Sequence, residues 1–352
     1  MVINLKWGDI LKVITFFNNK GGVGKTTLGV NIAAYFSIEM EQRVLVIDVD
    51  PQANTTQMLI SEDKWELLYG DDKKEIKTLH DYLTPLAQGD PEINSAILEP
   101  SKASENRFKV DLIPGDPNIS IIEDILSDAW NKSISGSIEG FRKTNWLKSI
   151  VTRFKEDYDV IFIDVGPSLG ALNRSVLLNS DYIITPMGSD IFSLMAVKNI
   201  SKWIGSWKAD YSNGVSLMER KGTPFERFNI NLEVEKASGL IGYSVQQYVT
   251  KTFKDGRRPI KSYDAIIKEI PTIIEKSLGD LIPNNLDIDN LNLGDIPYLY
   301  SLVPLAQSNN TPIFELKSSD GLNGLQYGQV NSYKETLKEI CDKIAHNMEV
   351  VK

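Results

Sequence analysis

The segment Asn19-Lys20-Gly21-Gly22-Val23-Gly24-Lys25-Thr26-Thr27 constrains this chain more than any other. It follows a short apolar, β-rich run, Lys12 to Phe17, and precedes a run with helical periodicity. Gly21, Gly22 and Gly24 let the backbone curl tightly and turn its N–H groups inward as an anion nest. A helix starting near Lys25 adds its positive N-terminal end. Lys25 supplies a point charge for β- and γ-phosphates, and Thr26 offers a hydroxyl to Mg2+. A chance glycine turn would need neither the strand before it nor the helix after it. The expected ligands are a nucleoside triphosphate and Mg2+. One departure matters: where the common G-x-x-x-x-G-K-[ST] pattern begins with Gly, this chain has Asn19, followed at once by Lys20. A second lysine at the mouth of the loop is surplus for holding phosphates within one subunit.

The flanking sequence implies the fold. Thr26 to Met40 reads as a helix with Leu28, Ile32, Tyr35 and Phe36 on one face. Arg43 to Val49 is a second buried strand, and the carboxylates Asp48 and Asp50 stand at its end. Strand, loop, helix and strand make a βαβ unit, hence parallel pairing and a right-handed crossover. Val110–Pro114, Asp159–Asp164 and Tyr182–Pro186 are further strands, and Gly239–Tyr243 and Ser301–Pro304 are two more candidates. Their continuous apolar runs suit strands covered on both faces. The expected class is α/β, a doubly wound, mostly parallel sheet with helices on both faces and ligands at the carboxyl ends of the strands. Residues 10–348 read as a single domain with insertions near 61–77, 128–144, 206–231 and 281–297.

Composition removes several function classes. One cysteine, Cys341, excludes a disulfide framework and a thiolate-rich cluster within one chain. With only His80 and His346, a histidine-built metal site is not expected. No stretch reaches the ~18 apolar residues of a membrane span. Residues 1–11 lack the apolar core of a signal peptide, so a cytoplasmic protein is expected. The formal net charge of −9 argues against nucleic acid binding over the whole surface, though not against a local basic patch.

Lys20 to Thr27 resembles the deviant Walker A motif of the ParA/Soj/MinD superfamily of P-loop ATPases. Asp48-Val49-Asp50-Pro51-Gln52-Ala53-Asn54-Thr55-Thr56 resembles that family's second motif in its ParA/Soj form. Asp159 to Gly170 resembles its Walker B segment, Val110 to Asp116 its middle strand and following loop, and Ser301–Pro304 with Thr311–Phe314 its last strand and loop. The resemblance implies ATP as the nucleotide and a homodimer in the ATP state, with Lys20 reaching the partner's phosphates much as an arginine finger does. It implies that Lys25 serves its own chain and that Asp50 orients the attacking water. Asp48 then supports the phosphate and Mg2+ surroundings, and Asp164 holds Mg2+ through water. Gly166 stands where the family carries Pro, which gives the backbone after Walker B extra freedom. Adenine contacts are expected around Gln246 and Pro304 to Ala306, although the family's usual Asn after the sixth strand is not evident here.

The same resemblance implies non-specific DNA binding and a protein partner that stimulates hydrolysis. The residues offer one basic cluster for DNA: Lys251, Lys254, Arg257, Arg258 and Lys261, with Tyr248, Phe253 and Tyr263 interleaved. Such cations could neutralise a few phosphates and give salt-sensitive binding; a solvated loop explains them equally well. Ser332 to Met348 reads as an amphipathic helix. Its polar face mixes both signs of charge, which suits packing on the sheet rather than a membrane surface. Two functions remain open on the sequence: a ParA-like ATPase that partitions DNA or positions a cargo, and an ATP-dependent switch for a protein partner without DNA binding.

Overall fold

Five-residue apolar runs fix the middle of the sheet. The computed structural model describes residues 11–70, 76–222, 224–225, 227–248, 250–253, 256–259 and 261–351. β1 (Lys12–Phe16) runs into the glycine loop and α1 (Lys25–Ile38), then β2 (Val44–Asp48). Three short helices follow: α2 (Asn54–Leu59), α3 (Trp65–Tyr69) and α4 (Leu79–Ala87). β3 (Asp111–Ile113) precedes α5 (Ile122–Ile134), α6 (Ile138–Thr144) and α7 (Trp146–Phe154). β4 (Val160–Asp164), α8 (Ala171–Leu177), β5 (Tyr182–Gly188) and the 30-residue α9 (Ile191–Arg220) come next. β6 (Gly239–Tyr248) leads to a hairpin of β7 (Thr250–Phe253) and β8 (Gly256–Pro259), then α10 (Lys261–Leu278), β9 (Asn292–Pro297), α11 (Leu302–Ser308) and α12 (Gln326–Val350).

Seven strands form one parallel sheet in the order β3-β2-β4-β1-β5-β6-β9. Every residue of β2 and β4 is buried, as continuous apolar strands between helical layers should be. The strand order turns at β1, so the loop after β1 opens at the switch point where α/β sheets bind ligands. Register sharpens this. Asp164 pairs with Phe16 on one side and with Asp48 on the other, so β1, β2 and β4 end level and their following loops converge. α1 and α12 pack against each other and against the sheet, burying Tyr333, Leu337, Ile340, Ile344 and Met348 of α12. α5, α6, α8 and α9 form a second helical layer. Among the described residues no helix is long and apolar enough to cross a membrane.

The structure corrects two element readings and gives the secondary structure of two stretches read as insertions. Ser301–Pro304 is no strand: Ser301 precedes α11, and Pro304 sits in the first turn of that helix, where its missing N–H costs nothing. The seventh strand is β9, inside the stretch 281–297 read as an insertion. β9 lies at the sheet edge and buries only Leu293 and Ile296, so its apolar signal is weak, and Pro297 is tolerated at an edge. The stretch 128–144 is the end of α5, a turn at Gly136 (φ +75°) and α6, with Trp130 and Phe141 buried. Most of 206–231 belongs to α9, whose Tyr211 meets the Phe141 ring edge-on at 4.9 Å.

Candidate functional site

Asn18 anchors the start of the glycine loop. Its side-chain amide donates to the Pro186 carbonyl of β5 at 2.8 Å, and its Oδ1 accepts the Lys20 N–H at 2.9 Å. Gly22 (φ +73°) and Gly24 (φ +75°) then adopt the left-handed conformation that makes the nest. Gly24 caps α1 without a side-chain bond, and the first helical turn holds no acidic residue. The positive end of α1 is therefore left for an external anion. Lys25 is buried; desolvation lowers its pKa, opposed by the charges of Asp164 and Asp50. These groups open onto a groove of about 960 Å³ bordered by Gly21, Lys25, Thr26, Asp50, Pro167 and Pro304.

Three carboxylates lie under this groove. Asp164 Oδ2 accepts hydroxyl bonds from Thr26 at 2.7 Å and Thr55 at 2.8 Å, while its Oδ1 is buried without a partner. Asp48, beside it in register, is engaged within the protein at both oxygens. Oδ2 accepts the Thr56 N–H at 2.8 Å and the Thr56 hydroxyl at 2.7 Å; Oδ1 takes the Asp50 N–H at 3.2 Å. Gly115 donates its N–H to the same Thr56 hydroxyl at 2.8 Å. Burial, then the Asp164 charge, push Asp48 up to about 8. Burial also raises Asp164, although Thr26, Thr55 and Lys25 pull the other way. Two buried carboxyls side by side are relieved by a cation. The orphaned Asp164 oxygen and the Thr26 hydroxyl are hard oxygen donors of the kind Mg2+ prefers, so the residues fit that ion. The geometry leaves Asp48 supporting the turn to Asp50 rather than offering a free oxygen to metal. Asp50 is buried at the groove and accepts the Gln52 N–H at 2.9 Å.

Lys20 points elsewhere. Its ammonium pairs with Asp190, the N-cap of α9, and lies 3.4 Å from Ser193 Oγ. Burial would raise the Asp190 pKa, but Lys20 and the Ser193 N–H hold it below its ordinary value. A second, smaller cavity of about 180 Å³ adjoins the groove across Pro304 and is bordered by Gly24, Gln246, Tyr298, Tyr300 and Pro304. Gln246 and Pro304 thus meet where a base was expected; Ala306 is buried within α11. Of the basic cluster, Lys254 lies outside the described residues. The backbones of Lys251, Arg257 and Arg258 belong to the β7–β8 hairpin and Lys261 opens α10, but their side chains lie outside the described residues.

Sequence reasoning gave no role to Thr55, Thr56, Gly115, Asn173, Asp190, Tyr298 or Tyr300. Thr55 and Thr56 stood within the second motif, and Ser189-Asp190 before an apolar helical run is an N-cap signal. Gly115 stood in the loop after the middle strand, but nothing local marked Asn173; the roles of both depend on loops brought together by strand order.

A glycine loop at the switch point of a parallel sheet, with a buried lysine and a hydroxyl–carboxylate pair beside it, defines a P-loop nucleotide-binding protein. A family model described as an AAA domain matches residues 11–216. Sporulation initiation inhibitor protein Soj of Bacillus subtilis is 27% identical over 246 residues, covering 69% of this chain and 81% of Soj. An uncharacterized protein of Methanocaldococcus jannaschii is 33% identical over 186 residues, 53% of this chain and 62% of that protein. The matches span between 60% and 63% of the first curated relatives' length. A crystal structure of a Corynebacterium diphtheriae protein is 31% identical and superposes with a TM-score of 0.70 over 85% of this chain and 97% of that one. The chain belongs to this AAA-domain family and to the ParA/Soj/MinD superfamily of P-loop proteins.

Proposed function

We propose that this protein is a ParA-like ATPase. In this reading it binds ATP with Mg2+, dimerises in that state, and hydrolyses ATP slowly under the control of a protein partner, in the cytoplasm, to partition DNA or position a cargo. Residues 10–348 act as one unit. The observation that carries the reading is the division of labour between two lysines. Lys25 is buried at the groove, whereas Lys20 is held outside it by Asp190. A lysine so placed has its use on another subunit's phosphates, where it neutralises charge developing on the transferred group.

The remaining roles follow from position. The nest and the α1 N-terminus hold the β- and γ-phosphates. Thr26 and Asp164 would hold Mg2+, which would supply charge neutralisation for the phosphates. Asp50 orients the attacking water, and Asp48 fixes the turn that presents Asp50. The base sits between Gln246 and Pro304, with Tyr298 and Tyr300 at its rim. Sedimentation with ATP and with ADP, alongside phosphate release, tests the core of this reading. An ATP-specific dimer that Lys20→Ala weakens is the expected result. An unaltered sedimentation profile and unaltered turnover in that variant would refute the role across the interface. Filter retention of DNA with ATP, with ADP and over a salt series tests the cargo side. Equal, negligible retention with both nucleotides would leave the protein-partner switch as the reading.

A further inference from the structure

We infer that Asn173, on α8, is a positioning residue for hydrolysis, acting through the backbone of residues 166–168 to fix where the Asp50 carboxylate stands. The inference rests on the ATPase reading and names a part of its machinery that no motif marks. After β4 ends at Asp164, the chain runs through Val165-Gly166-Pro167-Ser168-Leu169-Gly170 into α8. Asn173 is 2% exposed. Its side-chain amide donates to the Gly166 carbonyl at 2.7 Å and to the Ser168 carbonyl at 2.8 Å. Both amide hydrogens are thus spent on one loop, and the loop cannot shift without losing both bonds, the one to Gly166 in a buried setting.

Each end of this loop meets something that gives its position a consequence. At the near end Gly166 lies against Asp50. A Cβ on residue 166 would stand 3.3 Å from Asp50 Oδ1 and 3.5 Å from its Cγ, so this backbone is one wall of the space the carboxylate occupies. The Gln52 N–H bond at 2.9 Å restrains the same oxygen from its own turn. Pro167, one residue on, borders the phosphate groove. At the far end Glu123 of α5 accepts the N–H groups of Ala171 and Leu172, the latter at 2.9 Å. A Cβ on Gly170 would overlap that carboxylate, so a side chain there would have to displace the Glu123 carboxyl group. α8 is itself held, because the Arg174 guanidinium lies over the Trp130 ring at 4.3 Å and 5.7 Å from that of Trp207. Asn173 therefore passes the fixed position of α8 to the loop, and the loop passes it to Asp50.

The test uses the full chain with Asn173→Ala, Asn173→Asp, Glu123→Gln and Gly166→Ala. Three quantities are read: single-turnover phosphate release from ATP with Mg2+, ATP affinity by displacement of a fluorescent analogue, and thermal unfolding. Small misplacement of a catalytic group costs on the order of 10- to 100-fold in rate, so Asn173→Ala and Asn173→Asp should lose that much turnover. Their ATP affinity should stay within about threefold of the parent, since an interaction used only in the reaction spares binding. Gly166→Ala should also slow turnover. Combined with Asn173→Ala it should be no slower than the worse single variant, because both act on Asp50. Losses that multiply, or turnover and affinity falling together, would overturn the inference. Should Asn173→Ala fail to fold, Glu123→Gln disturbs the same loop from its far end, and unchanged turnover there would overturn it too. A parent protein without turnover removes the ATPase reading and this inference together. An active parent with fully active variants removes the inference alone.

Discussion

Among single residues, the two lysines carry the sharpest expectations. Lys25 is the buried cation of the groove and faces Asp164 and Asp50, so Lys25→Ala removes the phosphate's counter-charge and leaves the carboxylates to repel it. ATP affinity should fall at least ~100-fold, about 2.8 kcal/mol, and calorimetric titration showing unchanged affinity would sink the site assignment. Lys20 and Asp190 have side chains 30% and 39% exposed, and a pair that open contributes only ~0–1 kcal/mol. It is therefore weak enough to release Lys20. Asp190→Asn keeps a good N-cap for α9 while deleting the charge, so the melting temperature should barely move. ATP-dependent association by sedimentation should strengthen in that variant; weaker association would count against a stowed lysine. The glycine loop told its story locally because nest, lysine and hydroxyl are neighbours in the chain. Asp190 did not, being 170 residues from Lys20.

Elements were legible in proportion to how much apolar surface each one buries. β1, β2, β4 and β5 announce themselves as continuous apolar runs because helices cover both faces. β9 does not, since an edge strand with two buried side chains needs little apolar sequence. The second half of α9 falls in the stretch 206–231 read as an insertion, because it is polar apart from buried positions such as Trp207, Tyr211 and Met218. Contact between elements is what fixes Asp48. The turn after β3 brings Gly115 so close to the end of β2 that a Cβ there would stand 2.8 Å from Asp48 Cγ and 3.2 Å from its carbonyl oxygen. Thr56 holds that carboxylate in place, leaving the strands to separate instead. Gly115→Ala should therefore destabilise by ~1–3 kcal/mol, the usual scale of overpacking. A thermal or denaturant midpoint equal to the parent's would show that the β2 and β3 ends can yield.

For the whole molecule, one part-buried ion pair shows how distant segments are tied together. Arg107, just before β3, makes a forked pair with Asp320, just before α12, at 2.8 and 3.0 Å. The Asp320 side chain is 7% exposed, and the Arg107 hydrogen bonds hold its pKa below the usual range. A depressed carboxylate stabilises the fold above its unfolded pKa, near ~3.9, and that contribution is lost as pH falls through the lower folded value. Asp320→Asn should thus lower stability at pH 7 by roughly 1–2 kcal/mol, the partly exposed arginine keeping the figure modest. The gap to the parent should close in acid, and a gap independent of pH would mean that packing, not charge, is lost. By itself the sequence determined the phosphate loop, the parallel α/β class and the identity of the carboxylates at the strand ends, because each rests on residues adjacent in the chain or on period-bound apolar runs. Only the tertiary structure decided that Asp48 and Asp164 lie side by side, that Lys20 rests on Asp190, that β9 closes the sheet, and that Asn173 braces the loop beneath Asp50. Those facts depend on strand order and register, which place side by side residues that no local spacing connects.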